Sequence, residues 1–331
     1  MKVKKYAKHV CEVLNPYMLG HLRGMPEFIY EASTHILKAG GKRLRPTILI
    51  LTCRLVGGSE EKALPAAAAV ELLHNFTLVH DDIMDRDEFR RGVPTVHKIW
   101  GEAYAILAGD LLFSKSFEVM LELVNRGVPK DKVVEAVKYL AWAATTVAEG
   151  QALDMSFEER ENVSEEEYLT MIEKKTASLF EASARIGVAI GGGDVESVKN
   201  IGAYGRYLGI AFQIQDDILG IKADEKVLGK PVGSDIREGK KTILVIYALK
   251  NISNDKKHEL LNILGKKDAS KEEIDKAIKI IEESGALEHA VKLKEEYAIK
   301  ALNALNSVHR VDEEAYEMLK EIVDWVINRT F

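Results

Sequence analysis

Apolar residues recur at three- and four-residue spacing along most of this chain, in windows near residues 63 to 85, 101 to 125, 131 to 158, 164 to 190, 195 to 219 and 286 to 305. That period belongs to a helix with one buried face, whereas a half-buried strand alternates with period two. Only TILILTCRLV (47 to 56) and TILVIYAL (242 to 249) are apolar and β-branched enough to pass as buried strands. Two isolated strands make a poor sheet, so helix is expected in both. Breaks fall at turn chemistry: GGKRLRP (40 to 46), RRGVPT (90 to 95), NRGVPKD (125 to 131), GGGD (191 to 194) and LGKPVGSD (228 to 235). No fixed repeat or linker composition divides the chain. The expectation is a single all-α domain, a helical bundle spanning residues 1 to 331.

With 331 residues, 47% of them apolar, the chain can bury a large core. Its net charge is −6 and its Lys and Arg are spread out, which argues against nucleic acid or an anionic membrane as the main partner. Cys11 and Cys53 are the only cysteines and have no metal spacing, so neither a disulfide framework nor a zinc site is suggested. The opening MKVKKYAKHV lacks an apolar signal core, and no run approaches the roughly 18 apolar residues of a membrane span. A cytoplasmic protein is expected.

Against that background HDDIMDRDEFRR (80 to 91) is unusual, because it crowds carboxylates at the end of an apolar helical run and follows them with paired arginines. At i, i+4 spacing Asp81 and Asp85 share a helix face, while Asp82 lies about 100° round. Like charges so placed repel, so a positive partner is required. FQIQDDILG (212 to 220) repeats the arrangement, with Gln213, Asp216 and Gly220 on one face and Gly202, Gly205 and Gly209 continuing it toward close packing. Few carboxylates, with no Cys and no His pair, favour Mg²⁺, which keeps waters and binds substrate phosphates. Cations suited to phosphate lie nearby in sequence: Lys42, Arg43 and Arg45; Arg90 and Arg91; Lys174 and Lys175; Lys230, Lys240 and Lys241. The residues therefore point to a diphosphate ligand. A single DDxxD match is more often a solvated helix end, and it is the pair of clusters that weighs against this.

These motifs closely resemble the trans-isoprenyl diphosphate synthases, the head-to-tail prenyltransferases, and most of all the archaeal short-chain type that makes geranylgeranyl diphosphate. The resemblance is carried, in family order, by GGKRLRP (40 to 46), ELLHNFTLVHDDIMD (71 to 85) with RRG after it, EGQALD (149 to 154), KKTASLF (174 to 180), FQIQDDILG and GKPVGSDIREGKKT (229 to 242). It implies an all-helical fold around a deep central cavity, a homodimer, and three Mg²⁺ ions bridging an allylic diphosphate to the two aspartate motifs. By residue, it implies Asp81, Asp85 and Asp216 as metal ligands, which with Lys175 and Lys230 make the catalytic set. Arg90, Lys175, Thr176, Gln213, Lys230 and Lys240 would hold the allylic diphosphate. Lys42, Arg45, His74 and Arg91 would hold isopentenyl diphosphate. Gln151 and Asp154 would neighbour the metals. His74, seven residues before Asp81, falls on nearly the same helix face; a lone His on an apolar helix is otherwise a core residue.

The implied chemistry is ionisation of the allylic C–O bond, attack by the isopentenyl double bond, and proton loss, in a site that excludes water. Phe76 and Thr77 stand one turn before the first aspartate, and five residues of helix put Phe76 roughly 7.5 Å deeper than Asp81. An aromatic there beside a small residue resembles the twenty-carbon type, although Phe76 could simply be core. Farnesyl and mixed farnesyl/geranylgeranyl synthases remain alternatives. So do a terpene cyclase, a His-Asp phosphohydrolase prompted by His80-Asp81, and a non-catalytic heteromer subunit. Gly220 stands where many members carry a last aspartate, with Asp217, Asp224 and Asp235 as candidates to compensate. The C-terminal VINRTF lacks the basic tail of some members.

Overall fold

The computed structural model describes residues 1 to 222 and 232 to 328. Lys230 and Asp224 lie outside the described residues. In chain order the helices are α1 (Lys2–His21), α2 (Glu27–Lys38), α3 (Leu44–Leu55), α4 (Glu60–Asp85), α5 (Val96–Trp100), α6 (Glu102–Leu121), α7 (Lys130–Glu158), α8 (Glu165–Ile172), α9 (Ser178–Gly191), α10 (Val195–Lys222), α11 (Ser234–Glu238), α12 (Ile243–Asn251), α13 (Asn254–Ile263), α14 (Lys271–Glu283), α15 (Ala286–Asn306) and α16 (Glu313–Ile327). The all-α expectation holds, and both strand-like stretches are helical, as α3 and α12. Among the described residues the only sheet is a two-residue hairpin, Phe89–Arg90 against Val93–Pro94. Its turn puts Arg91 and Gly92 both at positive φ, 52° and 77°, the backbone that a two-residue hairpin loop favours.

Contacts group the chain into two compact units. The first comprises Met1–Ala144, Leu179–Gly205 and Leu302–Val323. Within it α3 is almost wholly buried, Ile48 to Leu51 being at most 1% exposed, which explains why its sequence mimics a core strand. The Ser59 hydroxyl accepts from the Lys62 N–H and caps α4, with Glu60 and Glu61 favourably placed in its first turn. At its far end Arg86 adopts a left-handed conformation (φ 60°), which stops the helix directly after Asp85. Gly205 allows close packing as its spacing suggested: a Cβ there would lie 2.6 Å from the Phe180 carbonyl oxygen.

The second unit comprises the described residues of Thr145–Ser178, Arg206–Ala301 and Asp324–Phe331. Ile210, Ile214 and Ile218 of α10 pack with Tyr168 and Ile172 of α8 and with Ile243 to Ile246 of α12 in its core. Ser164 and Glu167 form a capping box that starts α8. After α8 the helix widens into one π turn, Glu173–Ala177. Gly150 of α7 accommodates it, since a Cβ there would fall 2.2 Å from the Lys175 backbone nitrogen. Such π turns recur at functional sites, and this one carries Lys174, Lys175 and Thr176.

Candidate active site

In the first unit the acidic end of α4 is folded onto Arg90. Asp82 is 1% exposed and its Oδ1 accepts from Arg90 Nε. The same guanidinium lies 3.7 Å from Asp81 Oδ2 and 3.3 Å from Asp87 Oδ2. The cation demanded by the carboxylate spacing is therefore Arg90, and it is gripped chiefly by Asp82, a residue that the sequence reading gave no role. Burial opposes the charge on Arg90, but Asp82 and Asp81 outweigh it and hold the guanidinium charged. Burial likewise pushes the Asp82 carboxyl up to about 6 against the pull of Arg90. Asp81 and Asp85 stay half-buried, one turn apart.

A second group gathers at the Gly40-Gly41 turn, where both glycines have positive φ (97° and 144°). A Cβ on Gly41 would sit 3.0 Å from both Arg43 Nη1 and Arg91 Cζ, so only glycine lets these guanidiniums approach. Arg91 Nη1 donates to the carbonyls of Ile36 (3.1 Å) and Gly40. Arg45 Nη1 lies 3.3 Å from His74 Nε2, and its guanidinium stacks 4.4 Å over the Phe180 ring. Burial, then Arg45, Arg91, Arg90 and Arg43, hold the His74 pKa well below the ordinary imidazole range, so the ring is neutral. Lys42 is exposed beside the turn. Lys42, Arg45, His74 and Arg91 are thus brought to one region. Arg43 requires a correction: 2% exposed, it donates to Glu71 Oε1 (2.7 Å), Asn15 Oδ1 (3.0 Å) and the Leu37 carbonyl (2.9 Å), so it locks the turn and is no phosphate clamp. Thr77 turns its hydroxyl back to the His74 carbonyl (2.7 Å), and Phe76 packs edge-on against His80.

In the second unit Lys175 Nζ pairs with Asp154 Oδ2 at 2.6 Å. The Thr176 hydroxyl donates to Gln213 Oε1 (2.7 Å), whose Nε2 donates to Asp217 Oδ1 (3.0 Å). The Tyr168 hydroxyl donates to Asp217 Oδ2 at 2.7 Å. Asp217 is 5% exposed; burial raises its carboxyl to about 7, with help from Asp235 and Asp216 against the two donors. Asp216 is half-buried one residue before it, and Gln151 is half-buried on α7 near Asp154. Lys240 Nζ pairs with Glu238 at 2.8 Å. A Cβ on Gly220 would lie 3.1 Å from Asp235 Oδ2, so the place without a side chain at Gly220 is bordered by the Asp235 carboxylate.

Among the described residues no group of three or more His, Cys, Asp or Glu is arranged to hold a metal ion alone. Within the first unit the half-buried carboxylates of Asp81 and Asp85, and within the second that of Asp216, are hard oxygen donors of the kind that divalent ions take together with water and phosphate.

The profile of the polyprenyl synthetase family matches residues 26 to 281. The chain belongs to this family. It is 46% identical to the geranylgeranyl diphosphate synthase of Sulfolobus acidocaldarius, covering 98% of both chains. It is 44% identical to the geranylfarnesyl diphosphate synthase of Aeropyrum pernix, covering 96% of this chain and 99% of that one. The crystal structure of the geranylgeranyl pyrophosphate synthase from Corynebacterium glutamicum, complexed with isoprenyl diphosphate and magnesium, superposes with a TM-score of 0.90 at 27% identity over 100% of both chains. As a polyprenyl synthetase the chain is a prenyltransferase, and its architecture is the all-α one of these enzymes. Among the described residues no helix is long and apolar enough to cross a membrane.

Two groups in this polyprenyl synthetase were missed from sequence, Asp82 and the Tyr168–Asp217 pair. The apolar residues three and four positions before the first, Val79 and Leu78, share its helix face and could have signalled that Asp82 points inward. Tyr168 lies too far from Asp217 in sequence for spacing to join them.

Proposed function

We infer that this polyprenyl synthetase condenses isopentenyl diphosphate with allylic diphosphates to geranylgeranyl diphosphate, in a single domain. The observation that carries this reading is Phe76, a half-exposed ring one turn below Asp81, in a chain close to an archaeal geranylgeranyl diphosphate synthase throughout its length. Asp81, Asp85 and Asp216 would ligate Mg²⁺, three ions with diphosphate bound, and the magnesium in the Corynebacterium complex supports that ion. Asp235, bordering Gly220, is the candidate to complete the second acidic group. When bound, the metal neutralises the diphosphate leaving group as a Lewis acid. Arg90, Lys175, Thr176, Gln213 and Lys240, together with Lys230 outside the described residues, hold the allylic diphosphate. Lys42, Arg45, His74 and Arg91 hold isopentenyl diphosphate; the neutral His74 offers a hydrogen bond where a further cation would be costly. Gln151 and Asp154 orient the Lys175 side, Asp154 by its 2.6 Å ion pair. Around the reacting carbons the Phe76 ring and its apolar neighbours exclude water that would quench a carbocation.

The partner is a second copy of the chain. Phe28, Tyr104 and Leu107 are 44%, 45% and 52% exposed on α2 and α6, and with Pro26, Ile29 and Leu111 they make an apolar patch of the kind that marks an interface. The free thiols Cys11 and Cys53 suit the cytoplasm.

The test is incubation of purified protein with Mg²⁺, labelled isopentenyl diphosphate and each allylic primer, followed by chromatography of the dephosphorylated products. Geranylgeraniol is expected, and chelation of the metal abolishes its formation. A twenty-five-carbon product would favour the geranylfarnesyl reading that the Aeropyrum relative supports. A cyclic hydrocarbon, or phosphate release without elongation, would overturn the synthase reading.

A further inference from the structure

Four rings stand in file along α4 and α6 of the first unit. His80 and Phe76 meet with centroids 4.7 Å apart, Phe76 meets Phe113 at 5.1 Å, and Phe113 meets Phe117 at 5.1 Å. The pairings fix the sense of the helices: His80 faces Gly109 while Phe76 faces Phe113, so α4 and α6 run antiparallel. Phe117 therefore lies a further turn from Asp81, a step of roughly 5.4 Å and of the order of one prenyl unit. All four rings keep part of their surface accessible, whereas Leu72, Leu73, Val79, Leu112 and Ser116 around them are buried. The file therefore lines open space.

Its upper end is fixed with little room to spare. A Cβ on Gly109 would fall 2.3 Å from His80 Nε2, and that nitrogen lies 3.1 Å from the Ile106 carbonyl oxygen. Phe76 is held between His80 and Phe113, so a change of its χ1 rotamer breaks two ring contacts at once. A phenylalanine without those neighbours would swing aside for a growing chain.

We infer that product length is set by this file acting together. Phe113 is a second specificity-determining residue that holds Phe76 across the elongation path. His80, seated on Gly109, positions Phe76, and Phe117 is the next barrier one turn deeper. This rests on the elongation activity proposed above. Product lengths of Phe113→Ala, Phe113→Leu, Phe76→Ala and the Phe76→Ala/Phe113→Ala pair are compared with the unsubstituted protein by the same chromatography, normalised to total label incorporated. Phe113→Ala raises the ratio of longer to twenty-carbon products at least several-fold. Phe113→Leu, which removes the ring but keeps a branched apolar side chain, raises it less, and the pair exceeds either single change. His80→Ala also raises the ratio, while His80→Phe, which keeps a ring against Phe76, restores it. Elongation by Phe113→Ala and Phe113→Leu with unchanged product lengths would overturn the file and leave the synthase reading intact. Absence of elongation by the unsubstituted protein would instead overturn the synthase reading, and this inference with it.

Discussion

Asp81-Asp82 at the end of α4 and Asp216-Asp217 near the end of α10 repeat one dipeptide, and in both the second carboxylate is buried while the first stays half-buried. Their support differs in kind. Asp82 is held by the guanidinium of Arg90, a full opposite charge. Asp217 is held by a phenol and an amide, Tyr168 and Gln213, which are neutral. Both carboxyls are raised by burial, to about 6 and about 7 respectively. A repeated motif thus fixes which carboxylate faces inward without fixing what satisfies it. That choice is made by residues brought in from elsewhere, a hairpin in one unit and α8 in the other.

The largest expected effect treats the outward members of the two pairs as equals. Asp81→Ala and Asp216→Ala each lower kcat by on the order of 10³-fold, about 4 kcal/mol of transition-state stabilisation, measured as initial rates of label incorporation at saturating substrate. If one of them retained near-full activity, the pairs would share a sequence but not a role. The inward members should separate instead. Asp82→Ala takes from the largely enclosed Arg90 its nearest counter-charge, leaves it only the longer contacts to Asp87 and Asp81, and costs about 3 kcal/mol in urea unfolding. Tyr168→Phe removes a single neutral donor from Asp217 and costs about 1 kcal/mol. Equal losses would erase the distinction between charged and neutral support.

Most of the helices were legible because their apolar faces repeat with helical period, and α3 and α12 because two isolated strands would have had nothing to pair with. The hairpin at Phe89 to Pro94 was read only as a break: its Arg-Gly turn lacks the Asn-Gly or Asp-Gly signature of such loops. The gathering of Lys42, Arg45, His74 and Arg91 was legible through the motifs that carry them. Arg43 was not separable from its neighbours Lys42 and Arg45, because its burial depends on Glu71 and Asn15, distant in sequence. Nor was the π turn at Lys174 to Thr176, since the glycine that makes room for it, Gly150, belongs to another helix. Periodicity reports which face is buried, and long-range packing decides what each buried polar group meets.

The smallest effect sharpens the comparison through pH. The cations that gather in the first unit also act on a histidine, and burial with Arg45, Arg91, Arg90 and Arg43 keeps the folded-state pKa of His74 well below its unfolded value of about 6.5. Between those two values the unfolded chain binds a proton that the folded chain refuses. The His74 contribution to stability is therefore fully present above about pH 6.5 and is lost as pH falls from there toward the folded pKa. His74→Gln removes this contribution, so its urea midpoint should change less between about pH 7 and pH 5 than that of the unsubstituted protein. Arg45→Ala should act in the same direction but more weakly, because burial is the larger cause and the other three arginines remain. An unchanged slope in His74→Gln would mean that the ring already takes up its proton when folded, and that the arginines around it are answered by more negative charge than Glu71 and Asp82 supply.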